Sequence, residues 1–325
     1  MSKNRVLFSG LVLILLLVIG WISYSMLHVG ETEETYQISV IVENSNSDRW
    51  ISLRQGLKQA ANDNQVDLNF VSTGDFSSLQ EQLELIEQEI EKGAQGVIVQ
   101  MVSSDGFSDG LQEIPTNVAV MLLETDIILE DIYAYTGPDN VEIGRALAKT
   151  IKDDYGVSLQ GKKIGILSGN QKQLAMQKRL QGLEEVLLEE NVKITWKVNS
   201  ITETKDEELR HWGESNRADI IIALSNDETE ELVDFLQSDN NRNYKCSLYG
   251  VGGSEKSVYY LDKGIINSLV VPNEYAMGYQ SLEAMAKQIR FHAPKAESSI
   301  VDYRVVNRQN LYDEENQKVL FPIVQ

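Results

Sequence analysis

The sequence predicts an α/β protein built from two similar doubly wound lobes with parallel sheets, preceded by one apolar N-terminal segment. Three observations predict it. Short apolar strand-like runs alternate with helix-like stretches from residue 36 to residue 306, the pattern of parallel sheets covered on both faces. The alternation runs for about five units, breaks near residue 138 and restarts after Gly161 for about five more, which is the size of two lobes in a 325-residue chain. Ahead of it, Val6 to Leu27 contains no charged residue.

That N-terminal stretch, "VLFSGLVLILLLVIGWISYSML", follows Lys3 and Arg5. It is long enough to cross a hydrocarbon layer of about 30 Å. The flanking cations put the N-terminus in the cytoplasm and the body outside. Ser23-Tyr24-Ser25 also offers small residues at a cleavage spacing. A retained anchor over residues 6–27 and a cleaved signal segment both fit, and either one exports the body. No cysteine stands near it to be acylated. "ETEET" (31–35) then reads as a linker.

In the body, "YQISVIV" (36–42) is a strand candidate. Trp50, Leu53, Leu57, Ala60 and Ala61 then share one helical face. "VDLNFVS" (66–72) alternates like a strand, and Ser77-x-x-Gln80 opens the next helix as a capping box, with Leu79, Leu83, Ile86 and Ile90 as its stripe and Gly93 as its stop. "GVIVQM" (96–101) is a buried strand; a short helix, "VAVMLL" (118–123), "IYAYTG" (132–137) and a helix over 140–155 follow. After Gly161 come strands at 162–168, 193–199, 219–225, 246–252 and 266–271 with helices between them, then a helix over 273–292 and a strand at 300–306. Ligands of such sheets bind beyond the carboxyl ends of the strands. The loop "ENSNSDRW" (43–50) lies there.

Composition closes off several functions. Hydrophobic residues make up 42% and charged residues 24%, which excludes global disorder. The net charge is −20, and without Lys3 and Arg5, the only charges before Glu31, it becomes −22. Such a surface repels phosphate backbones, so no nucleic-acid partner is expected. One cysteine, Cys246, allows no intrachain disulfide, and His28, His211 and His292 have no ligating spacing, so no metal site or cofactor is expected. Gly250-x-Gly252-Gly253 lacks the third glycine of a dinucleotide fingerprint, position 255 being Glu. No nucleophile–base pair marks an enzyme.

Five segments in this order resemble the ribose/galactose-type periplasmic (type I) solute-binding protein family: "ISVIVENSNSDRWISLRQGLKQAA", "LIEQEIEKGAQGVIVQ", "TGPDNVEIGRALA", "ADIIIALSNDETEELVDFL" and "LDKGIINSLVVPNEYAMGYQSLEAM". The resemblance covers nearly all of residues 36–312. It implies two lobes joined by a three-strand hinge: 36–137 plus 273–294 in one, 138–272 plus 297–312 in the other, and 313–325 as a tail. It implies a small ligand, usually a sugar, closed between them. Matched position by position, it implies ligand-binding roles for Ser47, Arg49, Trp50, Glu124, Gln177, Asn226, Asp227 and Asn273. Arg49 stands for an aromatic residue of the family, Gln177 for an arginine, Gly252 for an aspartate and Pro272 for a glutamine. These departures point away from ribose or galactose itself.

The chemistry of these residues suits a polyol. Carboxylates accept hydroxyl hydrogen bonds, Arg49 offers a donor fork, and Trp50 offers a plane for a sugar's C–H face. Each residue also has a plain structural reading: Trp50 in the first helix's core face, Asn226-Asp227 as helix caps, Glu124 as a loop charge and Gln177 as a surface residue. The expected function is a binding protein, not an enzyme. Its expected partners are an ABC permease or, for a tethered receptor, a sensor histidine kinase. A transcription regulator on this core would need a basic DNA-binding segment where the apolar one stands.

Overall fold

Strands such as Gly96–Val99 (GVIV) and Ile220–Ala223 (IIIA) are buried at every position, because helices cover both faces of their sheets. The computed structural model describes residues 8, 12–21, 35–105, 114–127, 133–190, 192–211, 214–241 and 243–322. Residues 36–325 form one unit and residues 1–35 another. In the latter, residues 12–21 are helical, and among the described residues no helix is long and apolar enough to cross a membrane. The rest of the expected 6–27 segment lies outside the described residues, as does the short helix expected between 101 and 118 in its 106–113 part.

The first sheet has the order β11-β5-β4-β3-β1-β2. Its strands are β1 (Tyr36–Ile41), β2 (Val66–Phe70), β3 (Gly96–Val99), β4 (Ala119–Leu123), β5 (Ala134–Pro138) and β11 (Ser299–Val301). All its pairs are parallel, with Ile38 opposite Leu68 on one side and Gly96 on the other. The second sheet repeats the pattern as β12-β10-β9-β8-β6-β7. These are β6 (Lys163–Leu167), β7 (Lys193–Val198), β8 (Ile220–Ala223), β9 (Ser247–Val251), β10 (Ser268–Pro272) and β12 (Tyr303–Asn307), the last antiparallel to β10.

Among the described residues of the body, the helices are α1 (Ile51–Asn64), α2 (Leu79–Glu91), α3 (Asn140–Tyr155), α4 (Leu174–Glu189), α5 (Glu207–Arg210), α6 (Asn226–Gln237), α7 (Glu255–Asp262), α8 (Glu274–Phe291) and α9 (Glu314–Leu320). One face of the first sheet packs on α1 and α8, and the matching face of the second on α3 and α4. Both helix pairs meet through reciprocal glycines. A Cβ at Gly56 would lie 2.0 Å from the Tyr275 carbonyl oxygen, and one at Gly278 2.3 Å from that of Leu53. At Gly144 and Gly182 the distance is 2.0 Å to the carbonyl oxygens of Arg179 and Val141. A mid-helix glycine costs about 0.5–1 kcal/mol relative to alanine; here it permits backbone contact that no side chain would.

The chain passes between the sheets three times, after β5, after β10 and between β11 and β12. Asn273 ties two of these passages: its N–H donates to the Asp302 carbonyl at 3.0 Å and its Nδ2 to Asp302 Oδ1 at 2.9 Å. Three details differ from the sequence reading. The strand expected over 300–306 breaks at exposed Asp302, because Ser299–Val301 pairs with β5 and Tyr303–Asn307 with β10; the third passage therefore falls at 302, and 299–301 belongs to the first sheet. The expected tail forms α9, whose Val319 and Leu320 are buried in the second lobe's core. The cap of α2 is Ser78, accepting from Glu81 N at 3.2 Å, while Glu81 reaches back to Ser77 N at 2.8 Å.

Candidate functional site

The loop after β1 is built by its own small polar residues. Ser45 Oγ accepts from Thr73 N at 2.7 Å, and Asn44 N donates to the Gly74 carbonyl at 3.0 Å. Ser47 then caps a single 3-10 turn, Asp48–Trp50, with its Oγ 3.4 Å from Arg49 N. Trp50 turns inward. It is 0% exposed, lies in the core with Leu53 and Leu57, and donates Nε1–H to the Glu43 carbonyl at 2.9 Å. Arg49 lies across the Trp50 ring, its Cζ 4.0 Å from the centroid, a cation–π contact strengthened by burial.

Arg49 spans the two lobes. Its Nη2 donates to Glu124 Oε2 at 2.7 Å, in the first lobe, and its Nη1 to Asp227 Oδ2 at 3.3 Å, in the second. Glu124 follows β4 with φ +61°, uncommon for a residue with a Cβ, and is 7% exposed. Its carboxylate also accepts from Gln100 Nε2 at 2.8 Å and from Arg179 Nη2 at 3.1 Å. Arg179, 1% exposed, comes from α4 in the second lobe and donates to Asn140 Oδ1 at 2.8 Å and to the Leu224 carbonyl at 3.0 Å. Burial opposes charge on Glu124, but Arg49 and Arg179 outweigh it and hold the carboxyl below its ordinary range. Two arginines from opposite lobes thus share one carboxylate.

Around this network lies a cavity of about 670 Å³ between the carboxyl ends of the two sheets. The first lobe lines it from residues 43, 44, 49, 75, 76, 100 and 124, and the second from residues 169–170, 172–173, 176, 199–200, 202–203, 225, 227–228 and 231. The lining is polar: Phe76 is its one aromatic residue among the described residues. Glu228, in the first turn of α6, accepts from Ser225 Oγ, and burial pushes its carboxyl up to about 7. Burial also raises Glu43, whose Oε1 accepts from Phe76 N at 3.3 Å. Glu274 rises to about 8, chiefly through burial, against the partial relief of Arg49.

Of the residues read from the sequence, Arg49, Glu124 and Asp227 converge on this cavity. The other five do not line it. Ser47 caps the turn, and Trp50 has no face open to a ligand, so its stacking role is corrected to a core and cation–π role. Gln177 Nε2 donates to the Gln171 carbonyl at 2.8 Å and lines a shallow groove with Leu180 and Glu184 instead. Asn226 donates to Glu230 Oε1 at 2.9 Å and accepts from Ser254 N at 3.3 Å; Asn273 caps α8 through Ala276 N at 3.0 Å. A Cβ at Gly252 would lie 2.4 Å from Asn226 Oδ1, which accounts for glycine there.

The sequence reading missed Arg179, Gln100, Glu43 and Glu228. Arg179 carried a signal: it is the one charge on the buried stripe Ala175, Met176, Gly182, Leu183, Leu187 of α4. A charge on such a stripe requires a buried partner.

The family described as periplasmic binding protein domain matches residues 38–293. No curated protein matches the chain significantly in sequence. Among solved structures, GanP, a glucose-galactose binding protein from Geobacillus stearothermophilus, is similar at 21% identity and TM-score 0.73, over 86% of this chain and 99% of its own. A carbohydrate-transporter solute-binding protein from Agrobacterium radiobacter, in complex with D-arabinose, is similar at 16% identity and TM-score 0.76, over 88% and 99%. A chain of the XylFII–LytSN complex is similar at 16% identity and TM-score 0.71, over 85% and 98%. With the two-lobe fold and a family match spanning most of its length, this chain belongs to the periplasmic binding protein domain family.

Proposed function

We propose that this chain is an extracytoplasmic solute-binding protein whose lobes close around a small polar ligand, a monosaccharide or related polyol, for delivery to an ABC permease. One observation carries the reading: a polar cavity of about 670 Å³ lies between two lobes joined by three passages, with Arg49 reaching across it. The volume suits a small molecule, and the carboxylates and amides suit hydroxyls. The glucose-galactose and D-arabinose binding of the similar structures supports a sugar. The role is binding and hinge closure, not catalysis. Residues 6–27 serve as a single-pass anchor or a removed signal segment.

A second reading has its own support. The XylFII–LytSN complex pairs a similar chain with another protein, and the charge-free N-terminal stretch would tether the body at the membrane. In that reading the protein passes ligand occupancy to a sensor histidine kinase. Calorimetric titration with pentoses, hexoses, inositols and sugar acids tests the shared claim. One sugar class should bind, and at 100 times its Kd should stabilise the fold by about 2.7 kcal/mol. No binding at millimolar concentrations would overturn it. Co-purification with a permease, or with a kinase, then separates the two readings.

A further inference from the structure

The charge of the interlobe cavity exceeds what its own cations answer. Glu124 and Asp227 are paired with Arg49. Five other carboxylates, Glu43, Asp75, Glu203, Glu228 and Glu231, also line the cavity. Among the described residues, no lysine or arginine forms an ion pair with any of the five. Lys172 is the one lining cation besides Arg49 among the described residues. Glu43 and Asp75 come from the first lobe, and Glu203, Glu228 and Glu231 face them from the second. Some of their oxygens are held by neutral donors: Glu231 Oε1 accepts from Ser200 Oγ at 2.8 Å, and Asp75 from Asn44 Nδ2. Neutral donors fix a carboxylate's position but leave its charge in place.

A second observation is independent of this excess. The Arg49 side chain is 9% exposed and lines both this cavity and the smaller one beside Ile51 and Leu320, and its Nε–H is buried with no acceptor although both Nη atoms are bonded. A buried unpaired donor is costly. It asks for an acceptor oxygen, whereas the carboxylates ask for positive charge. A molecule with hydroxyl or ring oxygens next to an ammonium meets both demands.

We propose that the cavity takes a cationic sugar, one with a free ammonium group, in preference to neutral or acidic sugars; this rests on the binding-protein reading above. Closing the lobes on a neutral sugar would leave these carboxylates with Lys172 alone beside the paired Arg49 to offset them, a sugar acid would add to their charge, and an ammonium would offset it. A bare metal ion fits less well, since among the described residues no group of three or more His, Cys, Asp or Glu is arranged to hold one. Burial chiefly raises the carboxyls of Glu43 and Glu228, with a smaller contribution from the neighbouring Asp75 and Asp227 at Glu43 and from Asp227 at Glu228.

Calorimetry on the full chain in low-salt buffer tests this with matched sets: glucosamine, galactosamine and mannosamine, each beside its parent hexose, its N-acetyl derivative and the matching uronate. At least one amine should bind tenfold or more tighter than its parent and its N-acetyl form. Its affinity should fall severalfold between about 20 and 500 mM NaCl, because screening weakens the attraction. Glu43→Gln and Glu231→Gln, checked for folding by thermal melts, should each narrow the preference for the amine severalfold. A parent or uronate binding as tightly as its amine would overturn the inference and leave the binding-protein reading standing. Binding by no member of any set would overturn the inference, while the pentose and inositol titrations decide the binding-protein reading.

Discussion

Replacing Arg179 by methionine removes a cation that is 1% exposed and bonded to Asn140, Leu224 and Glu124. Methionine fills part of the volume, so the loss is mostly electrostatic. Breaking a buried ion pair from one side costs about 3–5 kcal/mol, because the other charge stays buried. Glu124 keeps Arg49 at 2.7 Å and Gln100 at 2.8 Å, which places the loss near the lower end, about 3 kcal/mol. Urea unfolding at pH 7 measures it. In Arg179→Met/Glu124→Gln no carboxylate remains to be stranded, so the double variant should fall short of the summed single losses by about 1–3 kcal/mol. The pH dependence follows from the depressed Glu124 carboxyl. Across the ordinary glutamate range the unfolded chain binds more protons than the folded one, so this stabilisation is present above that range and lost as pH falls through the folded pKa. Glu124→Gln should lack that acid limb. An Arg179→Met loss under 1 kcal/mol, or additivity in the double variant, would refute the network as a unit.

Other expectations follow from single environments. Glu228 is raised from 4.5 to about 7, so the folded chain holds its proton over that interval and stability should fall as pH rises from about 4.5 to 7; Glu228→Gln should flatten this and be more stable at pH 8 by about 1–3 kcal/mol. Gly182→Ala places a methyl 2.0 Å from the Val141 carbonyl oxygen and should destabilise by about 1–3 kcal/mol in chemical unfolding, despite alanine's better helix propensity. Trp50→Phe should lower stability through loss of the 2.9 Å bond to Glu43, by about 1–2 kcal/mol, yet keep ligand affinity within about threefold, since no Trp50 face opens on the cavity; loss of binding without loss of stability would restore its stacking role.

The fold was legible because strands buried on both faces leave unbroken apolar runs such as "GVIV" and "IIIA", which recur between helical stretches in the pattern of covered parallel sheets. Arg49, Glu124 and Asp227 were reached by matching positions to the resembled family, and they sit in or just beyond the loops at strand ends, where this fold places its ligands. Trp50 was misassigned because it precedes Leu53 by three residues, and spacing alone does not say whether a ring at a helix entrance faces core or cleft. Gln177 misses the buried network because it lies two residues from Arg179 along α4, which turns its side chain by about half a turn, to the outer groove. Asn226 and Asn273 show the same composition whether they cap a helix or hold a ligand. The sharing of Glu124 by two arginines brings together residues 49, 124 and 179, a coincidence of two strand-end loops and a helix that no local pattern encodes.

The central claim is that ligand is bound between the lobes against Arg49. A crystal structure of the protein with the tightest-binding compound of the sugar and amino-sugar sets tests it most directly. Density is expected in the 670 Å³ cavity, with a ligand oxygen within hydrogen-bond distance of Arg49 Nε and polar contacts to both lobes. Ligand seated outside that cavity, such as in the smaller pocket of about 180 Å³ beside Ile51, Gly253 and Leu320 that Arg49 also lines, or touching one lobe only, would contradict it.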